Sequence, residues 1–157
     1  MLHNYDYAQN GRIWMIWDDT LKVDLIGMSD QSITFCVEND LKKFIFSSIY
    51  GYNEGRDRRR LWSHLHSLQN SFLQEPWVLA GDFNVIAHLE ESSKLHGSHV
   101  VTADMREFVE ARDKLLVFNH AFQGLNFTWS NKHHPSDFLA KKLDRILVND
   151  QWLRQFS

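Results

Sequence analysis

A carboxylate and an amide stand two residues apart in Gly81-Asp82-Phe83-Asn84. Side chains at i and i+2 of an extended segment point the same way, so Asp82 and Asn84 can address one ligand. Asp82 can hold or activate a water while Asn84 donates a hydrogen bond to the same water or phosphate, a division of labour that suits phosphodiester hydrolysis. The alternative is a strand-terminal Asx turn, since Asp and Asn habitually bond their own backbone where strands end. A second set, Tyr50, Asn53 and Arg56, puts a phenol, an amide and a guanidinium in one short stretch. These donors can converge on a phosphate oxygen. Its alternative is a solvated turn before a helix, with the run Arg56 to Arg60 as an exposed face. Arginines at a helix N-terminus oppose the dipole at a cost of a few tenths to about 1 kcal/mol each, a misfit that leans towards function. Asp144 interrupts the apolar run Lys142 to Val148. It either joins the same site or is an edge carboxylate paired with Arg145 or Lys142.

Other chemistries find less support. The chain has 9 His and 1 Cys, but His64 and His66 diverge on a helix and no second thiolate exists for zinc. His133-His134, beside Pro135, reads as loop. Cys36 alternates with strand residues and has no evident base, which suits a buried structural thiol. No glycine-rich phosphate loop is present. A single cysteine cannot form an internal disulfide, and Met1 to Gln9 lack the pattern of a signal peptide, so an intracellular, reducing compartment is expected. No apolar run reaches the roughly 18–20 residues that cross a bilayer, so no membrane partner is expected. Net charge is −3 and neither half is strongly basic, so any phosphate contact must be local.

These residues need elements to position them. Residues 12–17, 21–27, 31–37 and 43–50 read as strands, and the middle two suggest antiparallel neighbours. In the third, Ile33, Phe35 and Val37 oppose Ser32, Thr34 and Cys36. Leu61, Leu65, Leu68 and Phe72 then recur at helical spacing, predicting a helix over 57–74 that Pro76 closes. Residues 77–80 read as a strand buried on both faces that delivers Gly81 to Asn84 at its end. A second helix starts at Thr102 as N-cap and buries Met105, Phe108, Val109 and Leu115. Strands over 127–130 and 142–148 and a short helix over 150–156 follow. Asp144, Ile146 and Val148 share one face. With 157 residues, 43% of them hydrophobic, this is one domain with a sizeable core, of α/β or α+β layered type.

Taken together the pieces resemble the endonuclease/exonuclease/phosphatase superfamily of magnesium-dependent phosphodiesterases. Ser48 to Arg56 (SIYGYNEGR) is similar to its tyrosine loop, Trp77 to Asn84 (WVLAGDFN) to its Asp-x-Asn strand, and Lys142 to Leu147 (KLDRIL) to its later Asp strand. GDFN is the most specific of these. The phrases GRIWMIWDD, SDQSIT, RRRLWSHL, PWVLAGDFNVI, FTWSN and KLDRILVN look closest to the abasic-endonuclease-like domain of plant LINE-type (non-LTR) retrotransposons. The likeness covers about residues 10–157.

The resemblance implies a four-layer α/β sandwich, two mixed sheets flanked by helices, of which residues 1–157 would be the central part: a single, incomplete domain with exposed sheet edges. It implies that Tyr50 contacts the scissile phosphate, that Asn53 and Arg56 touch the nucleic-acid backbone, that Asp82 orients the attacking water, that Asn84 supports the phosphate, and that Asp144 orients a catalytic histidine. The family's upstream Asn and Glu, the latter its main Mg2+ ligand, and its downstream Ser-Asp-His string have no match here, so the metal ligands remain unknown. Leu95-His96-Gly97-Ser98 departs from the family's Gly-Gly pair. The expected function is a fragment of a DNA-nicking, magnesium-dependent endonuclease with little activity of its own. DNA is its implied partner, alongside other segments of a retrotransposon polyprotein, and the nucleus its implied place of work. The alternatives are a non-catalytic remnant or binding module and, further off, a lipid- or inositol-phosphate phosphatase.

Overall fold

The computed structural model describes residues 1–8, 11–39, 42–72, 74–94, 100–132 and 135–156; the readings of Leu95 to Ser98 and of His133-His134 lie outside them. In chain order the elements are β1 (Leu2–His3), β2 (Trp14–Met15), β3 (Lys22–Met28), β4 (Ser32–Glu38), β5 (Lys43–Tyr50), α1 (Gly55–Gln69), β6 (Trp77–Asp82), α2 (Ala103–Leu115), β7 (Phe118–Asn119), β8 (Trp129–Ser130), β9 (Ala140–Lys141), β10 (Asp144–Val148) and α3 (Asp150–Phe156), with 3-10 turns at Leu89–Glu91 and Pro135–Asp137. Six strands form one mixed sheet in the order β3-β4-β5-β6-β10-β7. Its neighbours are antiparallel except β5 and β6, which run parallel and are joined through α1. The expected α/β class and helix-backed mixed sheet are present. In place of a second full sheet, the described residues form two antiparallel ribbons, β1-β2 and β8-β9.

Strand alternation divides the sheet into two faces. One face carries Ile45, Ile49, Leu79 and Leu147 against Leu61 and Leu65 of α1 and Phe108 and Leu115 of α2, the main core. The other carries Ile33, Phe35 and Val37, which pack with Ile13 and partly buried Leu2 and Met15 of the first ribbon. That cover is partial: Leu25 and Ile146, also on the second face, stay 52% and 48% exposed. On the face opposite Ile33, Phe35 and Val37 the polar residues of β4 are buried as well. The Thr34 and Ser47 hydroxyls lie 2.8 Å apart, and Trp77 Nε1 donates to Ser47 Oγ at 3.0 Å. This short chain supplies the partners that buried polar groups require. Cys36 is half-buried, and burial pushes its thiol up, which suits the structural reading.

Four predicted elements are shorter than expected, three of them because a side chain or a tightened turn takes over backbone groups. The strand over 12–17 shrinks to β2, since Asn4 Oδ1 accepts the N–H groups of Arg12 (3.0 Å) and Ile13 (3.1 Å). The strand over 142–148 begins only at Asp144, because Lys142 N–H donates to Glu91 O and Leu143 N–H to Thr128 Oγ1. The helix over 57–74 instead spans Gly55–Gln69. Beyond it, Ser71 and Phe72 N–H donate to Leu68 O and Gln69 O in i→i−3 fashion, a tightened end. This turn still delivers Phe72 to the core, edge-on to Trp77 with ring centroids 4.9 Å apart. The strand over 127–130 survives as β8 alone, while β1, β7 and β9 are additions to the expected set. Thr102 caps α2 as expected, accepting Met105 N–H at 3.2 Å, while Val109 is only partly buried. Among the described residues no helix is long and apolar enough to cross a membrane.

Candidate active site

Three of the predicted residues come together at one end of the sheet. Tyr50 ends β5, Asp82 ends β6 and Asp144 opens β10; Asp82 is in register with Tyr50 on one side and with Asp144 on the other. Residues paired across strands share a face, so a phenol and two carboxylates stand in a row. This edge carries the C-terminal ends of the parallel strands, where ligands gather in open α/β sheets. Gly81 permits the close approach of β5 and β6: its φ is +138°, and a Cβ there would sit 2.1 Å from Ile49 O.

Asn84 adopts a left-handed conformation (φ 50°), which Asn tolerates better than most residues. Its N–H donates to Asp82 Oδ1 at 2.8 Å, so the Asx turn is present. The turn and a site are compatible, because that bond uses the backbone of Asn84. The side chain reaches the neighbouring loop, Nδ2 donating to Gly51 O at 2.8 Å, while Gly51 N–H donates to Asp82 O at 2.7 Å. Asn84 therefore clamps the loops after β5 and β6 together and keeps its Oδ1 and a second amide hydrogen for a ligand.

Arg58 corrects the reading of Arg56 to Arg60 as an exposed face. It is 2% exposed, since it stands one turn before Leu61 on the stripe that α1 buries. Its guanidinium donates to the carbonyls of Tyr52 (2.6 Å), Asn53 (2.9 Å) and Asn84 (3.1 Å) and pairs with Asp104 at 2.8 Å. It thus ties the tyrosine loop to the Asn84 turn. Asn53 and Arg56 lie on that loop and the first turn of α1 with exposed side chains. Among the described residues the charged group that Arg56, 86% exposed, approaches is Asp57, at 3.9 Å. Neither side chain contacts the carboxylates.

Asp144 pairs with neither expected cation. Arg145 lies on the opposite face, buried, where its NH1 meets Glu91 Oε1 at 2.7 Å and its NH2 meets Glu91 Oε2. Lys142 lies over the Phe122 ring at 4.1 Å. Asp144 instead faces Asp82. Burial pushes the Asp82 carboxyl up, the Asp144 charge adds to this, and the Asn84 N–H and Arg58 oppose it without cancelling it. Beside Asp144 lies a cavity of about 250 Å³, lined among others by Asn119, His120, Phe122 and Thr128. None of these is among the residues that type and spacing single out. Their only signal was an aromatic-rich stretch after α2, because the pairing of β7 with β10 that brings them here is long-range.

A hard divalent cation such as Mg2+ takes oxygen ligands and is commonly held by one or two carboxylates plus waters and substrate phosphate. Asp82 and Asp144, in register across β6 and β10, fit that requirement. Among the described residues no group of three or more His, Cys, Asp and Glu side chains forms a fuller cage.

Comparison with known sequences bears on this arrangement. The profile of the Endonuclease/Exonuclease/phosphatase family matches residues 11–157. The chain belongs to that family. Among solved structures it is similar to the endonuclease domain of TRAS1, a telomere-specific non-LTR retrotransposon, with a TM-score of 0.71 and 10% identity over 88% of this chain and 60% of that one. It is also similar to beta toxin of Staphylococcus aureus, with a TM-score of 0.51 and 15% identity over 78% of this chain and 44% of that one. At these identities the likenesses are likenesses of fold. The chain spans about 60% of the TRAS1 domain's length. Comparison with curated proteins returns no match.

Proposed function

We propose that residues 1–157 carry the phosphate-handling part of a magnesium-dependent DNA endonuclease of retrotransposon type. The observation that carries this is the in-register row Tyr50, Asp82 and Asp144 at the ends of three adjacent strands. Membership of the family and the fold likeness to a retrotransposon endonuclease domain support it. Residues 1–157 form one incomplete domain, and the activity is that of the whole domain. DNA is the partner, other segments of a retrotransposon polyprotein would accompany it, and nicking of genomic DNA would take place in the nucleus.

In this reading Asp82, whose Oδ1 accepts the Asn84 N–H, orients the attacking water and takes up its proton as the new P–O bond forms. Tyr50 donates its phenol hydrogen to a phosphate oxygen, and the Asn84 amide, fixed by its bond to Gly51 O, donates to another. Asp144 orients the group that protonates the leaving oxygen. Asn53 and Arg56, exposed on the flanking loop and helix start, contact the backbone away from the cut. Mg2+, held by Asp82 and Asp144, would supply Lewis-acid neutralisation of phosphate charge.

Two carboxylates make a small donor set, so residues 1–157 alone nick slowly. The same observation favours a second reading, a nucleic-acid-binding remnant without turnover. Nicking of supercoiled plasmid with Mg2+ separates them. The domain completed with the family's upstream Glu and downstream Ser-Asp-His segments should nick, and Asp82→Ala should cut the rate by roughly 10²–10⁴-fold while near-UV circular dichroism stays unchanged. A completed domain whose rate ignores Asp82→Ala would remove the chemistry from this row.

A further inference from the structure

A second group at this edge is built with more buried polar structure than packing requires. Arg12 is exposed, and its guanidinium carbon lies 5.2 Å from the Tyr50 ring centroid and 4.9 Å from that of Tyr52. Both separations are within cation–π range. Two amide side chains that are 0% exposed hold the parts in place. Asn4 accepts the N–H groups of Arg12 and Ile13 and donates to Ser29 O and Asp30 O. Gln31 accepts Tyr52 N–H with its side chain and Tyr50 N–H with its backbone carbonyl, and donates to Asp57 O. Burying two amides costs free energy unless every bond is made. Here the bonds they make fix the backbone of Arg12, Tyr50 and Tyr52.

The neighbouring Arg60 shows the contrast. It too approaches Tyr52, at 5.8 Å, but its charge is matched by Asp30 at 3.2 Å. Among the described residues no carboxylate pairs with Arg12. Its guanidinium carbon lies over the two rings, and the N–H donors of a guanidinium lie in one plane and match two oxygens of one phosphate.

We infer that Arg12 is a phosphate-binding residue: held against Tyr50 and Tyr52, it grips the non-bridging oxygens of a phosphodiester in the DNA strand that passes Asp82. This rests on the function proposed above. It adds a cation to a site whose assigned side chains otherwise include two carboxylates, and it makes Tyr52 the support of a binding group.

The test is binding of a fluorescently labelled DNA duplex to the full chain, by anisotropy, in EDTA and over a series of NaCl concentrations. Wild type, Arg12→Ala and Arg12→Lys are compared, with melting temperatures measured alongside. Loss of one phosphate contact should reduce the slope of log affinity against log salt by about 0.9 and weaken binding roughly tenfold or more. Arg12→Lys should keep the slope and lose part of the affinity, because the charge stays and the planar fork goes. If Arg12→Ala lowers the melting temperature while slope and affinity hold, Arg12 is only a staple between loops; the inference then fails and the proposed function stands. If wild type itself shows no salt-dependent binding, both fail together.

Discussion

Asp82 and Glu91 are carboxylates reached along one stretch of chain and set against adjacent residues of β10, yet their carboxyls are pushed in opposite directions. Asp82 faces Asp144, and burial together with that like charge pushes it up. For Glu91 burial also acts upward, but hydrogen bonds and charge from Arg145, with the N–H groups of Ala87 and His88, outweigh it and hold the carboxyl low. Strand alternation makes the difference: Asp144 and Arg145 point to opposite faces of the same strand. One face presents a like-charged pair to solvent, an arrangement that costs stability and suits a cation or a proton transfer. The other locks the same stretch of chain from behind, since Glu91 O also accepts Lys142 N–H and Arg145 NH2 also donates to Lys142 O. The clamp holds this segment from the face opposite Asp82 and Asp144.

Breaking the clamp should have the largest effect. Arg145→Ala strands the Glu91 charge in the interior and should cost about 3–5 kcal/mol by urea denaturation, whereas Glu91→Leu combined with Arg145→Met should recover most of it. Because the Glu91 carboxyl is held low in the folded chain, the stability it contributes is present above the ordinary glutamate range. It is lost as pH falls through the lowered folded value, so a pH series of melting temperatures on wild type should fall away on the acid side more steeply than on the doubly substituted chain. Next in size is Asn84→Ala, which removes the bond to Gly51 O and puts alanine at positive φ. About 1–2 kcal/mol is expected, with Asn84→Gly costing less because glycine accepts that φ.

At the site itself the sign reverses. A carboxyl pushed up in the folded chain contributes stability that is full below the ordinary aspartate range and lost as pH rises through the raised value. Asp82→Asn should therefore raise the melting temperature at neutral pH, and the gain should vanish in acid. Mg2+ should stabilise wild type and leave Asp82→Asn unmoved. The smallest effect belongs to a pair with no part in either cluster: exposed Arg59 forks onto half-buried Glu107 between α1 and α2, and Arg59→Ala should cost about 0.2–1 kcal/mol and less in high salt.

What was legible in the sequence follows how local each cause is. Alternation in β4 and β5, the Leu61–Leu65 stripe of α1, the Thr102 cap and the placement of GDFN at the end of a buried strand are set within a few residues, and they read correctly. Tyr50, Asp82 and Asp144 were singled out by type and by family likeness, but their alignment depends on β6 pairing with both β5 and β10. Arg58 could have been recognised from its place one turn before Leu61, where basic neighbours disguised it. Asn4 cutting short the strand at Arg12, and Glu91 drawing Arg145 away from Asp144, are contacts between distant segments with no local signature. The cavity by His120 and Phe122 is legible only once β7 is placed beside β10.

The opposition of Asp82 and Asp144 is the claim on which the rest depends, and carbon-detected NMR titration of the Asp82 carboxyl measures it directly. In wild type Asp82 should titrate above the ordinary aspartate range, and Asp144→Asn should bring its titration down while leaving that of Glu91 in place. An Asp82 that titrates as an ordinary aspartate, or one indifferent to Asp144→Asn, would contradict the account.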